Sequence, residues 1–127
     1  MRLRVVLADD DPAFLEKFTS VLAGEFDIVA TATDGKSALD AVLRVHPDVV
    51  VVDLGMPVLN GIQVANELRR SRASSAIVVC SVETDLEIVE AALQAGALGY
   101  VFKSRVEKDL VAAVHAAACG TSFVSPA

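Results

Sequence analysis

Aromatic residues are scarce in this chain of 127 residues, since tryptophan is absent, tyrosine occurs once, and aromatic side chains make up 5% of the sequence. Because 54% of the residues are nonetheless hydrophobic, the core must be built from Val, Leu, Ile and Ala. A core of this kind is typical of a sheet covered by helices, and a chain of this length forms a single domain. The high hydrophobic content excludes a disordered chain.

Positive charge is also in short supply. Eleven Lys and Arg residues face 17 Asp and Glu residues, which gives a formal net charge of −6 at pH 7. Affinity for nucleic acid depends on Lys and Arg side chains that neutralise backbone phosphates. We therefore do not expect this segment by itself to bind DNA.

Targeting signals and clustered cysteines are absent as well. The apolar run Val5 to Ala8 is interrupted at once by three aspartates, and no run approaches the roughly 18 apolar residues of a membrane span. We therefore expect a cytoplasmic protein that does not contact the membrane. Cys80 and Cys119 lie in apolar surroundings without a CxxC spacing, which predicts buried free thiols rather than a disulfide or a zinc site.

The most informative stretch runs from Val49 to Pro57, with the sequence VVVVDLGMP. Four consecutive valines without polar alternation predict a strand covered on both faces, and such a strand lies centrally in a parallel sheet. The strand ends on Asp53, which is thereby placed at the edge where open α/β sheets bind ligands. A single aspartate at this position could simply keep the end of the strand solvated. Whether Asp53 has a function therefore depends on which residues lie at the ends of the other strands.

Strand and helix patterns alternate five times along the chain. We predict strands at residues 3–8, 26–33, 49–53, 76–80 and 99–102, and helices at residues 12–23, 36–45, 61–70, 85–96 and 106–119. Asp11 before Pro12 is typical of a helix start, and Thr84 with Glu87 and Ser104 with Glu107 match the capping-box pattern. The alternation predicts an α/β fold with a parallel sheet and right-handed crossovers. We assign it to the doubly wound (βα)5 flavodoxin-like three-layer sandwich, whose five-stranded sheet has the order 2-1-3-4-5.

The fourth predicted helix is apolar on more than one side. Leucine, isoleucine, valine and alanine occupy most of its positions between residues 86 and 93. Two explanations remain open, a surface for a partner protein and simple close packing inside the domain.

Polar residues that could take part in chemistry lie at the ends of four of the five predicted strands. Asp9 and Asp10 follow the first strand, Asp53 the third, Ser81 the fourth and Lys103 the fifth. Strands one and three are neighbours in the predicted order, so the three carboxylates converge. Crowded carboxylates remain ionised at low cost when a cation lies among them, and oxygen ligands suit Mg²⁺. With Lys103 and Ser81 binding a phosphoryl group, Asp53 is left as the nucleophile that forms an acyl phosphate.

Together these segments resemble the receiver domain of bacterial two-component response regulators. The resemblance rests on Asp9-Asp10, the VVVVDLGMPVLNG segment around Asp53, the strand end at Ser81 and the GYVFK segment ending at Lys103. The tail AAVHAAACGTSFVSPA is most similar to the NarL/FixJ type, in which a LuxR-like helix-turn-helix follows the receiver. The resemblance implies a receiver domain at residues 1–120 and the start of a linker to an output domain at residues 121–127.

The resemblance also implies roles for individual residues. Asp53 would accept a phosphoryl group from a phosphohistidine of a sensor histidine kinase. Asp9, Asp10, Asp53 and the backbone carbonyl of Gly55 would hold Mg²⁺, while Ser81 and Lys103 would bind the phosphoryl oxygens.

A switch and a set of partners are implied in the same way. Tyr100 matches the aromatic residue that turns inward when Ser81 moves toward the phosphate, and phosphorylation biases this two-state equilibrium. The phosphorylated protein would form a homodimer through the fourth helix or through the first and fifth helices. DNA would be bound only through an output domain.

Three alternatives to a transcriptional switch can be compared. A stand-alone receiver would act as a phosphorelay carrier or through protein contacts. An aspartyl phosphatase needs a second aspartate two residues after the nucleophile, where this chain has Gly55. A flavin or dinucleotide binder needs a glycine-rich or hydroxyl-rich loop after the first strand, where three aspartates would repel a phosphate. We therefore expect a regulatory domain, not an enzyme, that catalyses only its own phosphorylation and dephosphorylation.

Overall fold

A six-stranded parallel sheet forms the centre of the protein, as described by a computed structural model for residues 2–126. The strands are β1 (Arg4–Ala8), β2 (Asp27–Ala32), β3 (Val49–Asp53), β4 (Ala76–Ser81), β5 (Gly99–Phe102) and β6 (Phe123–Val124), in the order 2-1-3-4-5-6. The helices are α1 (Pro12–Leu22), α2 (Gly35–Val45), α3 (Gly61–Arg70), α4 (Leu86–Gln94) and α5 (Val106–Ala118). The doubly wound α/β fold is confirmed, whereas the prediction of five strands is wrong by one edge strand.

Alternation along each strand divides the core into two layers. Successive side chains of a strand point to opposite faces of the sheet. Val5 and Leu7 of β1 pack with Val49 and Val51 of β3 against α1 and α5. The intervening side chains of both strands pack against α2, α3 and α4. The four valines of β3 are 0% exposed, which agrees with a strand covered on both faces.

The sixth strand lies within the segment 121–127, where we expected a linker to begin. The chain turns at Gly120, whose φ of 74° suits glycine, and then runs parallel to β5. The Ser125 N–H donates to the carbonyl of Tyr100 at 2.9 Å. The buried Ser125 hydroxyl accepts from the N–H of Phe102 at 3.1 Å and donates to Asp109 Oδ2 at 2.7 Å. A two-residue strand has no periodicity, so the pattern of the sequence did not reveal it.

Asp109 makes this C-terminal contact sensitive to acid. Its hydrogen bond from Arg105, at 2.7 Å, and the bond from Ser125 hold the pKa of Asp109 below the usual value of an aspartate. A depressed folded-state pKa contributes stability that is present above the unfolded value and is lost as the pH falls through the folded value. We therefore expect the difference in free energy of unfolding between wild type and Asp109→Asn to shrink when the pH is lowered from neutrality into the acid range in which Asp109 becomes protonated.

Urea denaturation at the two pH values measures this difference. The exposed carboxylate of Asp40, on α2, provides the control variant Asp40→Asn. A difference for Asp109→Asn that stays constant with pH would contradict the expectation.

Both capping-box predictions are wrong in detail. The N-cap of α4 is Asp85, not Thr84, and its carboxylate accepts from the N–H of Glu87 at 2.9 Å. Aspartate is as good an acceptor as threonine, and it lies nearer to the first turn. Before α5, a 3₁₀ turn occupies Lys103–Arg105, so Ser104 makes no capping hydrogen bond and α5 begins without a side-chain cap.

The prediction that both cysteines are buried is wrong for one of them. Cys80 is buried, as predicted, but Cys119 is exposed because it lies at the C-terminal end of α5. In α4, Val89 and Ala92 are buried while Leu86 is 68% exposed, so only part of its apolar surface is used in packing. Within residues 2–126, no helix combines the length and hydrophobicity needed to cross a membrane.

Candidate functional site

The ends of three strands bring two carboxylates and one ammonium group together. Asp9 follows β1, Asp53 ends β3, and Lys103 follows β5. The residue two positions before each of them is buried in the core layer that packs against α1 and α5. Because side chains two positions apart on a strand point to the same face, all three groups lie on that face of the sheet. Lys103 Nζ lies 2.7 Å from Asp9 Oδ2 and 3.1 Å from Asp53 Oδ1.

A third carboxylate completes a candidate metal site. Asp9, Asp10 and Asp53 each place one oxygen within 4.8 Å of the others; Asp9 and Asp53 are buried, whereas Asp10 is exposed. Asp9 Oδ2 is fully buried, and its one close partner is the ammonium of Lys103. Three carboxylates and one ammonium leave an excess of negative charge, and a donor set made only of oxygen suits a hard divalent cation such as Mg²⁺. The residues present therefore fit such a cation.

The loop after β3 passes beside the carboxylate of Asp53. A Cβ placed on Gly55 would lie 3.8 Å from Asp53 Oδ2, so this glycine borders the cluster without filling it. Gly61, at the start of α3, approaches more closely, because a Cβ there would lie 2.7 Å from the carbonyl oxygen of Asp53. The close approach of α3 to the end of β3 thus requires glycine, although the sequence indicated only a turn at Asn60-Gly61.

Burial and charge act in opposite directions on the paired groups. Burial raises the pKa of Asp9, and the nearby charge of Asp53 adds to this, while hydrogen bonds from Lys103 and the Asp11 N–H oppose it. Burial alone would lower the pKa of Lys103, but its ion pairs with Asp9 and Asp53 outweigh burial and raise that pKa. The ammonium is therefore held charged in a site where its side chain is only 8% exposed.

Ser81 and Tyr100 lie on the opposite face of the sheet, toward α4. Ser81 comes one position after Cys80, which is paired with Asp53 in the register of β3 and β4. Its hydroxyl accepts from the N–H of Glu83 at 3.0 Å. Tyr100 is 0% exposed, and its hydroxyl donates to the carbonyl of Glu83 at 2.8 Å. Burial raises the pKa of Tyr100, so the phenol remains a neutral donor.

One residue at the site was not identified from the sequence as functional. The ring of Phe14, on α1, lies with its centroid 4.1 Å from Lys103 Nζ. Its helical spacing with Leu15, Phe18 and Leu22 predicted an ordinary core residue. The available signal was the alternation of β5, which places Lys103 on the face covered by α1.

Comparisons with known proteins agree with this geometry. A family model described as the response regulator receiver domain matches residues 5–115. The DNA-binding response regulator MtrA of Mycolicibacterium smegmatis is 42% identical over 116 residues, which are 91% of this chain and 50% of that protein. The nitrate/nitrite response regulator protein NarL of Escherichia coli is 34% identical and is matched over 97% of this chain and 58% of its own length.

Solved structures extend the similarity to three dimensions. The signal receiver domain of the putative response regulator NarL from Mycobacterium tuberculosis superposes with a TM-score of 0.90 at 35% identity, covering 94% of this chain and 98% of that one. A LuxR-family response regulator from Aurantimonas superposes with a TM-score of 0.93 at 30% identity, covering 99% and 91% of the two chains. The chain spans about half the length of the curated relatives it matches first, 50% of one and 54% of the next.

Proposed function

This chain belongs to the response regulator receiver domain family, and from that premise we propose that Asp53 accepts a phosphoryl group from a phosphohistidine of a sensor histidine kinase. One observation carries the proposal: the ammonium of Lys103 bridges Asp9 and Asp53 within a cluster of three carboxylates. The cluster offers both a nucleophile and the charges that a transferring phosphoryl group requires.

The proposed transfer is a displacement at phosphorus. A carboxylate oxygen of Asp53 forms the new O–P bond as the P–N bond of the phosphohistidine breaks, and the electron pair remains on the histidine nitrogen. Lys103 lies 3.1 Å from Asp53 Oδ1 and is positioned to bind an oxygen of the incoming group. When bound, Mg²⁺ would neutralise part of the phosphoryl charge, and Asp9, Asp10, Asp53 and the carbonyl of Gly55 would hold it.

The proposed switch connects the site to the α4 face. Ser81 would exchange its bond from the Glu83 N–H for a bond to a phosphoryl oxygen, which changes the loop between β4 and α4. Tyr100 is already turned inward and holds the same loop through the Glu83 carbonyl. Phosphorylation would thus bias the conformation of a loop that both side chains hold.

The output is proposed from the relatives. MtrA is a DNA-binding response regulator, and this chain covers half of its length, so we propose that a further domain following the receiver binds DNA. Homodimerisation of the phosphorylated protein remains a prediction. The exposed Leu86 at the start of α4 supports that helix as the contact surface.

Intact-mass measurement tests the proposed function. The chain is incubated with Mg²⁺ and either acetyl phosphate or phosphoramidate, whose P–N bond imitates phosphohistidine. We expect a single phosphoryl adduct from either donor and none when a chelator removes the metal. A folded chain that gains no adduct from both donors would contradict the proposal.

Tyr100→Phe is expected to loosen the loop between β4 and α4. The substitution keeps the ring but removes the donor to the Glu83 carbonyl, so we expect the free energy of unfolding to fall by about 0.5–1.5 kcal/mol. Hydrogen exchange of the backbone amides at residues 82–86 should become faster, since this segment loses its hydrogen bond to Tyr100. Unchanged stability together with unchanged exchange in this segment would show that the bond has no such role.

A further inference from the structure

We propose that Phe14 is a positioning residue for Lys103, and that the face of its ring holds the ammonium group at the acidic site. The rate measurements below rest on the proposed phosphorylation of Asp53, whereas the spectroscopic measurement does not. The inference comes from three contacts of one nitrogen. Lys103 Nζ lies 2.7 Å from Asp9 Oδ2, 3.1 Å from Asp53 Oδ1 and 4.1 Å from the centroid of the Phe14 ring.

The distance places the cation over the ring within the range of a cation–π interaction. Such contacts act within about 6 Å of the centroid and are stronger where the cation is shielded from water. The side chain of Lys103 is 8% exposed, so water competes weakly for its ammonium group. The ring thus supplies a third stabilising neighbour beside the two carboxylates.

The position of Phe14 is set by the same segment that carries the metal ligands. Asp9 Oδ1 accepts from the N–H of Asp11 at 2.8 Å, and the Asp11 carboxylate caps α1 by accepting from the N–H of Ala13 at 2.9 Å. Phe14 follows in the first turn and packs against Phe18, with ring centroids 6.0 Å apart. Residues 9–14 therefore orient the carboxylates and the ring as one unit.

The ring of Phe14 lies at the edge of the core. Phe18, one helical turn later, is 0% exposed, but Phe14 is only partly buried and borders a shallow apolar cavity of about 180 Å³ with Ala13 and Lys17. Phe14 packs against the core layer that contains Phe18, and its ring also lies against the ammonium of Lys103.

The ring of Phe14 can bind the ammonium group of Lys103 without also binding a metal ion, which the carboxylates cannot do. A divalent cation at the cluster would compete with Lys103 for the oxygens of Asp9 and Asp53. An aromatic face attracts the ammonium but is not a ligand for a hard cation. Phe14 would therefore retain Lys103 beside the site while the acidic side chains bind metal, and the amine would remain available to a phosphoryl oxygen.

Graded substitution of the ring tests this role. Phe14→Leu keeps a similar apolar volume and removes the aromatic face, so we expect phosphorylation by acetyl phosphate to become about two- to tenfold slower. Replacing Phe14 by mono-, di- and trifluorophenylalanine weakens the ring quadrupole stepwise at nearly constant shape, and the rate should fall stepwise with it. A rate that is independent of fluorination would overturn the proposal.

Two comparisons separate positioning from packing. Phe26→Leu is the matched control, because Phe26 is 2% exposed and its ring packs against His115 instead of Lys103. It should lower stability and leave the phosphorylation rate unchanged. In a Lys103→Met background, Phe14→Leu should cause no further loss of rate, since the cation it acts on has been removed. An equal loss in both backgrounds would assign Phe14 to packing alone.

Nuclear magnetic resonance tests the contact independently of phosphorylation. A ring face above Lys103 shifts the proton resonances of its ε-methylene group upfield, and Phe14→Leu should return them to ordinary values while Phe26→Leu does not. Absence of this shift in the wild type would overturn the inference even if Asp53 is phosphorylated. If the upfield shift is present but the wild type gains no phosphoryl adduct, the proposed function is refuted and the contact between Phe14 and Lys103 is still supported.

Discussion

Asp53→Asn is expected to abolish the phosphoryl adduct completely. The substituted side chain keeps nearly the same shape and one oxygen, but an amide is not nucleophilic, so no acyl phosphate can form. The neighbouring Asp9 and Asp10 are not expected to substitute, because Asp9 is 0% exposed and both side chains are proposed to hold the metal ion. Intact mass of the variant and of the wild type, each incubated with Mg²⁺ and acetyl phosphate, measures the result.

The control must show that the loss is local. Asp40→Asn removes an exposed carboxylate of α2 that pairs with Lys36 and is not one of the three clustered carboxylates, so this variant should be phosphorylated like the wild type. Both variants should unfold cooperatively in urea. An adduct of undiminished yield on Asp53→Asn would place the acceptor elsewhere and refute the assignment.

Lys103→Met is expected to change two properties in opposite directions. Phosphorylation should slow by about a hundredfold or more, because the variant lacks the cation that would stabilise charge on the transferring group. Mg²⁺ should bind more tightly, by about tenfold or more. In the variant, no ammonium group competes for Asp9 Oδ2, and none repels the metal ion. Isothermal titration with Mg²⁺ and the rate of adduct formation give the two values.

A second lysine provides the comparison for this result. Lys17 pairs with Glu107 at 2.8 Å, and neither of these exposed side chains contacts the carboxylate cluster. Lys17→Met should therefore leave both the metal affinity and the phosphorylation rate close to those of the wild type. If Mg²⁺ bound no more tightly to Lys103→Met than to Lys17→Met, competition between the ammonium and the metal would be excluded.

Much of the fold was predictable because its signals are local. The valines of β3, the Asp11-Pro12 start of α1 and the Asn60-Gly61 start of α3 each predict an element from adjacent residues alone. The alternation of strands and helices predicts a parallel sheet, and the order around β1 and β3 is that of the doubly wound fold to which the sequence was assigned. The cap of α4 was wrongly assigned because a matching pattern does not decide which of two adjacent acceptors the backbone uses, and the predicted cap of α5 does not form because a 3₁₀ turn precedes that helix.

The identity of the side chains at the carboxyl ends of the strands could be read from the sequence alone. Asp9, Asp53 and Lys103 follow apolar runs directly, and the period of two along a strand decides the face each one takes. The composition of the site and its net negative charge thus follow from local chain geometry.

The pairing of those side chains, in contrast, depends on the tertiary structure. The position of Lys103 between Asp9 and Asp53, and the ring of Phe14 above it, result from the register of β1, β3, β4 and β5 and from how α1 docks against them. The edge strand β6 likewise depends on the buried bonds of Ser125 to Phe102 and Asp109. Distances between groups far apart in the chain are set by packing of the whole domain, and no short sequence pattern contains them.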